Sequence, residues 1–275
     1  KGTKIRFENS KIKTIIVLAL IVGLGISAMV GTYQALISNA RTMGLELVRS
    51  YCADEERNIA VYRTYIRMGL FYLEELENSS YSKQELTHKM ENFLKQTAAV
   101  VGDSDLQSCV MKNGEKIASN INDKSRLKNY QNTDWYYKAR KAAGDVVFCN
   151  VAEEKSERGE LTVVAAVESF SGNAIAIFLE RENYQNIHMD LKLMDQGAYY
   201  LFDENGRLLF YDAPFMVDED ATEEYAANMC QKIKEGSLDK TGGGIVDITG
   251  RKRDIYHCTV SNGWLCVMTV PRYIL

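Results

Sequence analysis

The residue types that most often carry chemistry are sparse here and scattered. His88, His188 and His257 each stand alone. No HExxH and no His–Cys spacing would bring metal ligands onto one face, so no metal site is expected. The six cysteines, at 52, 109, 149, 230, 258 and 266, include no CxxC pair. They read as small buried apolar residues rather than as a zinc or dithiol site. Cys258 and Cys266 are the nearest candidates for a disulfide, on adjacent strands. A two-residue turn at Asn262-Gly263 would set Cys266 opposite Thr259 and turn Cys258 to the other face, so free thiols are expected. Thr241-Gly242-Gly243-Gly244 lacks the ending of a P-loop and runs into a strand. Asp218, Glu219, Asp220, Glu223 and Glu224 lack EF-hand spacing and its central glycine. They suit the positive end of a helix dipole instead. There is no GxSxG, no kinase motif and no Cys–His nucleophile, so neither catalysis nor a cofactor is expected from this segment.

What remains is aromatic. Trp135, Tyr136 and Tyr137 open a short helix. Aromatic bodies with polar tips suit the wall of a site for a small organic ligand. The competing reading makes Trp135 core and the tyrosines surface packing.

The elements that must position these residues show an internal echo. Residues 109–118 read CVMKNGEKIA and residues 201–210 read LFDENGRLLF, with the Asn-Gly pairs 92 residues apart (205 minus 113). Asn-Gly between apolar runs is a strong hairpin signal, because both residues tolerate positive φ. Similar series come after each copy. After the first come a helix near 135–143 and strands at 146–151, 161–169 and 174–180. After the second come a helix near 222–235 and strands at 244–248, 254–260 and 264–270. Two tandem modules of an α+β class, each a helix-decorated antiparallel sheet, account for this most simply. Residues 182–195 are expected to form a helix between them.

Residues 14–40 carry no charge, and the centre, residues 15–30, reads IIVLALIVGLGISAMV. About 20 such residues span a ~30 Å hydrocarbon core. A cleaved signal peptide would have a shorter apolar region ending in a small-residue site. Here helix-forming sequence continues, so an uncleaved span is expected. Residues 1–13 hold five basic residues against Glu8. The positive-inside rule then places them in the cytoplasm and the bulk of the chain outside. Net charge over the chain is −4, so the body beyond residue 13 is acidic, with no basic stripe for nucleic acid.

Between residues 41 and 77 there is no proline. Val48, Cys52, Ile59, Tyr62, Ile66, Leu70, Leu73 and Leu76 recur at helical steps, with Asp54, Glu55, Glu56 and Arg57 expected largely off their face. Such a helix packs on its own domain and can also serve as a dimer face. A second amphipathic helix is expected over 83–101.

In this order the chain resembles the double Cache sensory regions of bacterial transmembrane receptors. Asp134-Trp135-Tyr136 with Ala139 resembles that family's tryptophan–aromatic helix start. Tyr200-Leu201-Phe202-Asp203-Glu204-Asn205-Gly206 resembles the opening hairpin of its membrane-proximal module. Gly263-Trp264 with Val270-Pro271 resembles its last strand. The resemblance implies a cytoplasmic tail (1–13), a transmembrane helix (14–37), a long helix and second helix (38–101), a membrane-distal PAS-like module (102–181), a linking helix (182–196) and a membrane-proximal PAS-like module (197–275). It makes Trp135 and Tyr136 the cover of a distal ligand pocket, with Tyr130, Asn150 and Glu153 as polar pocket groups by position. Amino-acid-binding members carry arginines where this chain has Thr133 and Gln131. The tyrosine and aspartate they carry in the next strands are not clearly matched, Val151 and Glu153 falling nearby. The implied function is small-molecule sensing by a membrane-bound homodimer, paired through the long helix. The output would lie beyond a second span and be a histidine kinase, diguanylate cyclase or chemotaxis module. The alternatives are a membrane-tethered binding or adhesion protein without output and an extracytoplasmic hydrolase, which would need a nucleophile and base that are not found.

Overall fold

A computed structural model describes residues 2–101, 106–121, 129–156, 159–168, 171–180, 183–184, 197–215, 218–238 and 241–272. Side chains are described for these except residues 2–12, 151–161, 219 and 241–243. Helix α1 spans Gly2–Glu77. The chain divides into two units, residues 1–47 and 48–275.

In the first unit the apolar stretch forms a helix long and apolar enough to cross a membrane. Its large side chains, Ile15, Leu18, Leu24 and Met29 among them, are all exposed.

In the second unit, all eight periodic residues of α1, from Val48 to Leu76, are buried. Each such side chain contributes about 1.5–3 kcal/mol on burial. Glu55 corrects the expected pattern. It is buried on that same face, three residues after Cys52, and its Oε1 accepts the Tyr199 hydroxyl at 3.2 Å. Helix α2 (Lys83–Val101) starts in a capping box. The Ser82 N–H donates to Glu85 Oε2 at 2.9 Å while the Glu85 N–H donates to Ser82 Oγ at 3.3 Å.

Two five-stranded antiparallel sheets complete this unit. The first comprises β1 (Gln107–Lys112), β2 (Glu115–Ser119), β3 (Val147–Ser156), β4 (Gly159–Val167) and β5 (Ala174–Leu179), in the order β2-β1-β5-β4-β3. The second comprises β6 (Ala198–Phe202), β7 (Leu208–Asp212), β8 (Thr241–Val246), β9 (Lys252–Thr259) and β10 (Leu265–Pro271), in the order β7-β6-β10-β9-β8. The orders are the same, so the Asn-Gly echo marks a true structural repeat. Helices α3 (Asp134–Lys141) and α4 (Glu219–Lys234) decorate them. Asp218 caps α4 by accepting the Ala221 N–H at 3.2 Å, as the acidic run suggested.

Strands β5 and β6 are buried at every position, because each sheet is covered on both faces. In β5, Ala174, Ala176 and Phe178 join the core under α3. Ile175 points the opposite way, toward α1, where a Cβ on Gly69 would sit 2.3 Å from Ile175 Cδ1. Gly69 therefore permits a close helix–sheet approach that alanine would block.

Turn geometry differs between the echoed copies. Asn113 (φ 48°) and Gly114 (φ 90°) close the β1–β2 hairpin as a two-residue turn. The Asn205-Gly206 and Asn262-Gly263 hairpins instead have three-residue loops, with only the glycine at positive φ. The expected register of Cys266 is thereby corrected. The extra loop residue, Ser261, shifts the pairing by one, and Cys266 faces Cys258 across β9 and β10. The expectation of free thiols throughout is corrected as well. Cys258 forms a disulfide with Cys52 of α1, their Cα atoms 6.6 Å apart. Cys109, Cys149, Cys230 and Cys266 are free and buried. The helix expected over 182–195 falls almost wholly outside the described residues.

Candidate functional site

The distal aromatic site is built from a short helix on a sheet of small residues. Thr133 holds extended backbone (φ −81°, ψ 150°) and its carbonyl accepts the Tyr137 N–H, which starts α3. Its hydroxyl donates to the Tyr130 carbonyl at 2.5 Å, tying the helix start to the preceding 3-10 turn, Tyr130–Asn132. Asp134 in the first turn and Lys138, Arg140 and Lys141 in the last complement the helix dipole. Asp134 also raises the Lys138 ammonium pKa through a hydrogen bond.

Trp135, Tyr136 and Ala139 turn inward onto Cys109, Met111, Cys149, Ala165, Ala174 and Ala176. The alanines leave the depth the indole needs. Tyr130, Trp135 and Tyr136 form one aromatic wall. Tyr130 stacks on Trp135 at 6.2 Å, and Tyr136 meets both edge-on, at 5.2 Å to Tyr130 and 5.8 Å to Trp135. Gly114 of the β1–β2 turn abuts this wall; a Cβ there would reach Gln131 Nε2 at 2.5 Å and the Tyr130 hydroxyl at 3.9 Å. Burial pushes the Tyr130 phenol up, partly offset by Gln131. Burial also pushes the Cys149 thiol to about 11 and Cys109 to about 12, so neither is a nucleophile near neutral pH.

Of the residues singled out from sequence, Tyr130, Trp135 and Tyr136 come together. All three are deep in the core, with Trp135 only 2% exposed, while Tyr137 is a surface residue at 66%. Asn150 is elsewhere. Cys149 points to the aromatic wall, so the next residue of β3 points away. The Asn150 Nδ2 donates to Asp203 Oδ2 in the second sheet's module at 2.8 Å, and its Oδ1 accepts the Thr162 hydroxyl. The other Asp203 oxygen accepts the N–H groups of Asn205 and Arg207 at 2.9 and 2.7 Å. Glu153 lies in β3, but its side chain is outside the described residues.

Sequence reasoning missed this junction between the modules. Phe148 of β3 meets Trp264 edge-on at 5.5 Å, and Tyr184 packs on Trp264 at 6.0 Å. Its signal was the alternation in β3, where the residues flanking Cys149 must face another partner. At the far end of the distal module lies an open groove of about 500 Å³ lined by Glu77, Lys83, Lys112 and Glu115. Its charges are spent on each other, Lys83 pairing with Glu115 at 2.8 Å and Lys112 with Glu77 at 2.9 Å. Among the described residues, no three His, Cys, Asp or Glu side chains are grouped to hold a metal.

A long helix leading into two tandem PAS-like sheets of one strand order is the fold of a double Cache sensory domain. No sequence-family model matches the chain, and no curated protein sequence matches it. Among solved structures, the chain is similar to the ligand-binding domain of the Campylobacter jejuni chemoreceptor Tlp3 in complex with L-norvaline. The TM-score is 0.60 at 13% identity, over 86% of this chain and 92% of that one. It is also similar to the ligand-binding domain of the Pseudomonas aeruginosa amino acid chemoreceptor PctB in complex with L-Arg, with a TM-score of 0.57 at 13% identity, over 84% and 95%. The extracellular domain of rpHK1S-Z16, described as a histidine kinase, is similar with a TM-score of 0.56 at 12% identity, over 86% and 95%.

Proposed function

We propose that this chain is the extracytoplasmic sensing region of a membrane-bound signalling receptor, with a small polar metabolite as its ligand. The observation that carries this is the Tyr130–Trp135–Tyr136 wall, in a fold shared with ligand-binding domains of chemoreceptors. Residues 14–37 anchor the chain and residues after about 38 lie outside. The segment itself is not catalytic. Tyr136 and Tyr130 offer phenolic tips to the ligand, and Glu153 is the nearby acidic candidate. Asn150 serves the junction rather than the pocket, since both its amide atoms are engaged there.

The ligand is not gripped as in amino-acid binders that use arginines at the positions of Thr133 and Gln131. Thr133 is already engaged with its own turn. Ligand-dependent movement of the distal module passes to the proximal one through Asn150–Asp203 and Phe148–Trp264, and to the membrane through α1. A homodimer forms along the outward stripe Val61, Thr64, Met68 and Phe71, spaced three and four residues apart; Met68 and Phe71 are 54% and 60% exposed. The signal then biases a cytoplasmic kinase, cyclase or chemotaxis module.

A melting screen of the chain in detergent against amino acids, organic acids, amines and purines tests the reading. A ligand of the folded state raises the midpoint with concentration. The response should weaken in Tyr136→Phe. A response untouched by both Tyr136→Phe and Tyr130→Phe would move the site away from this wall.

A further inference from the structure

The disulfide has a third sulfur beside it. Cys258 of β9 is bonded to Cys52 of α1, and Cys266 of β10 stands directly opposite Cys258 in the sheet. Residues paired in this way point to the same face. That face is the one α1 covers. Tyr199 of β6 meets Tyr51 of α1 edge-on at 5.4 Å and donates to Glu55 Oε1 at 3.2 Å. The Cys266 thiol lies within hydrogen-bonding reach of the Tyr199 hydroxyl. The Cys258 sulfur lies 3.9 Å from the Val48 carbonyl oxygen. Cysteines of α1, β9 and β10 therefore converge under one stretch of helix. Cys109, Cys149 and Cys230 lie elsewhere, in the cores beneath α3 and α4.

The third thiol is within reach of a bond. The Val260 N–H donates to the Trp264 carbonyl at 2.9 Å, so Cys258 and Cys266, two residues further on, form a hydrogen-bonded pair. The Cα atoms of such a pair stand about 5.5 Å apart, inside the range of roughly 4.4–6.8 Å that a disulfide spans. The Cβ atoms are also about 5.5 Å apart, so the strands would have to close by about 1 Å. Cys52–Cys258 is therefore the resting bond. The helix that holds this bond also silences the spare thiol. Cys266 is fully buried. Burial pushes its thiol up to about 12, with Glu55 and Glu56 of α1 adding to the rise and Tyr199 opposing it. While α1 is seated, Cys266 stays protonated and does not attack. Lifting α1 removes its cover and both carboxylates at once.

We propose that Cys52, Cys258 and Cys266 form an internal exchange site, in which Cys266 takes Cys258 from Cys52 when α1 lifts and so unlatches the helix from the second sheet. Cys266 gives its proton to the water that the lifted helix admits, and its sulfur attacks the Cys258 sulfur. The Cys258–Cys52 bond breaks, and Cys52 leaves with the electron pair and takes up a proton. One disulfide and one thiol stand on each side of the step, so neither oxidant nor reductant is needed. The exchange converts a displacement of α1 into a covalent state, and it does not depend on the distal aromatic wall.

The test uses the whole chain in detergent with no redox reagent added, quenched in acid, labelled with N-ethylmaleimide in denaturant and mapped by mass spectrometry after cleavage at Trp264. The resting bond leaves the label on Cys266, and the exchanged bond leaves it on Cys52. Val48→Ala loosens the seat of α1 and leaves the sheet intact. It should raise the labelled fraction of Cys52 at least about tenfold, the scale of losing part of one buried side chain. Adding Cys266→Ala should abolish that label. In a second arm, reduced Cys52→Ala treated with oxidised glutathione should close an internal Cys258–Cys266 bond. Cys52 left unlabelled in Val48→Ala, or labelled equally without Cys266, overturns the proposal. Loss of label from Cys109, Cys149 or Cys230 in step with its gain on Cys52 marks general scrambling and overturns it too. So does a lasting glutathione adduct on Cys258 beside a free Cys266.

Discussion

Replacing Arg253 by methionine should unfold the proximal module more readily than its small change in volume suggests. The arginine and Asp247 have side chains 1% and 0% exposed and form an ion pair at 3.2 Å. Removing one member of a buried pair leaves the other charge uncompensated, at a cost of about 3–5 kcal/mol. Loss of the stack on Phe215 adds to this, on the order of 0.5–2 kcal/mol. For a unit of roughly 150–250 residues, each kcal/mol moves the midpoint by about 2–4 °C, so Arg253→Met, at about 3.5–7 kcal/mol in all, should lower it by roughly 7–28 °C. The double variant Arg253→Met, Asp247→Asn should recover much of the loss, because the amide keeps the acceptor that the β8–β9 turn uses and carries no charge. Thermal melts of the two single variants and the double one measure the coupling. A drop under about 2 °C for Arg253→Met, or strictly additive effects, would refute the claim that a buried charge pair organises this module.

The same carboxylate gives a pH dependence. Burial alone would raise Asp247, but Thr249, the Arg251 N–H and Arg253 hold its pKa below the usual aspartate value. Its stabilisation is therefore full above the unfolded pKa of about 3.9 and is lost as pH falls through the lower folded value; in Asp247→Asn, an acid melt should lose that part of the slope. Trp135→Ala should cost about 3–5 kcal/mol by opening a cavity under α3. A loss under about 1 kcal/mol in chemical denaturation would show the indole is not core. Asn150→Leu should cost about 1–3 kcal/mol by orphaning Asp203 and should weaken coupling between the modules, read as loss of ligand-induced hydrogen-exchange protection in β6 and β7 but not in β1. Reductant should lower the midpoint of the wild type, reflecting a loss of about 2–5 kcal/mol of stability for a disulfide closing 206 residues, and leave the Cys52→Ala, Cys258→Ala variant unmoved. Alkylation of Cys258 without reductant would contradict the bond.

Much of the architecture was legible because it rests on local pattern. The eight-residue stripe of α1, the extent of α2 and the Asn-Gly hairpins are governed by helix period and turn chemistry, which act within a few residues. The repeat was visible for the same reason, and its two sheets have one strand order. Loop length was harder. Asn-Gly is compatible with a two-residue turn and with a three-residue loop, and the choice at Ser261 moved Cys266 opposite Cys258. The aromatic residues of the candidate site were readable as a group, since 130, 135 and 136 are close in sequence.

Tertiary structure alone decided what the polar residues do. Asn150 was one residue from a core position, and β-strand alternation sent it to Asp203, 53 residues away, rather than to the aromatic wall. Glu55 looked like part of an exposed acidic run until the second sheet supplied Tyr199. Cys52 met Cys258 across 206 residues, and Arg253 found Asp247 and Phe215 beneath α4. The reason is the range of the forces. Hydrophobic periodicity and turn preference are properties of a short segment, whereas a buried charge or amide is tolerable only where the completed fold brings a partner to it.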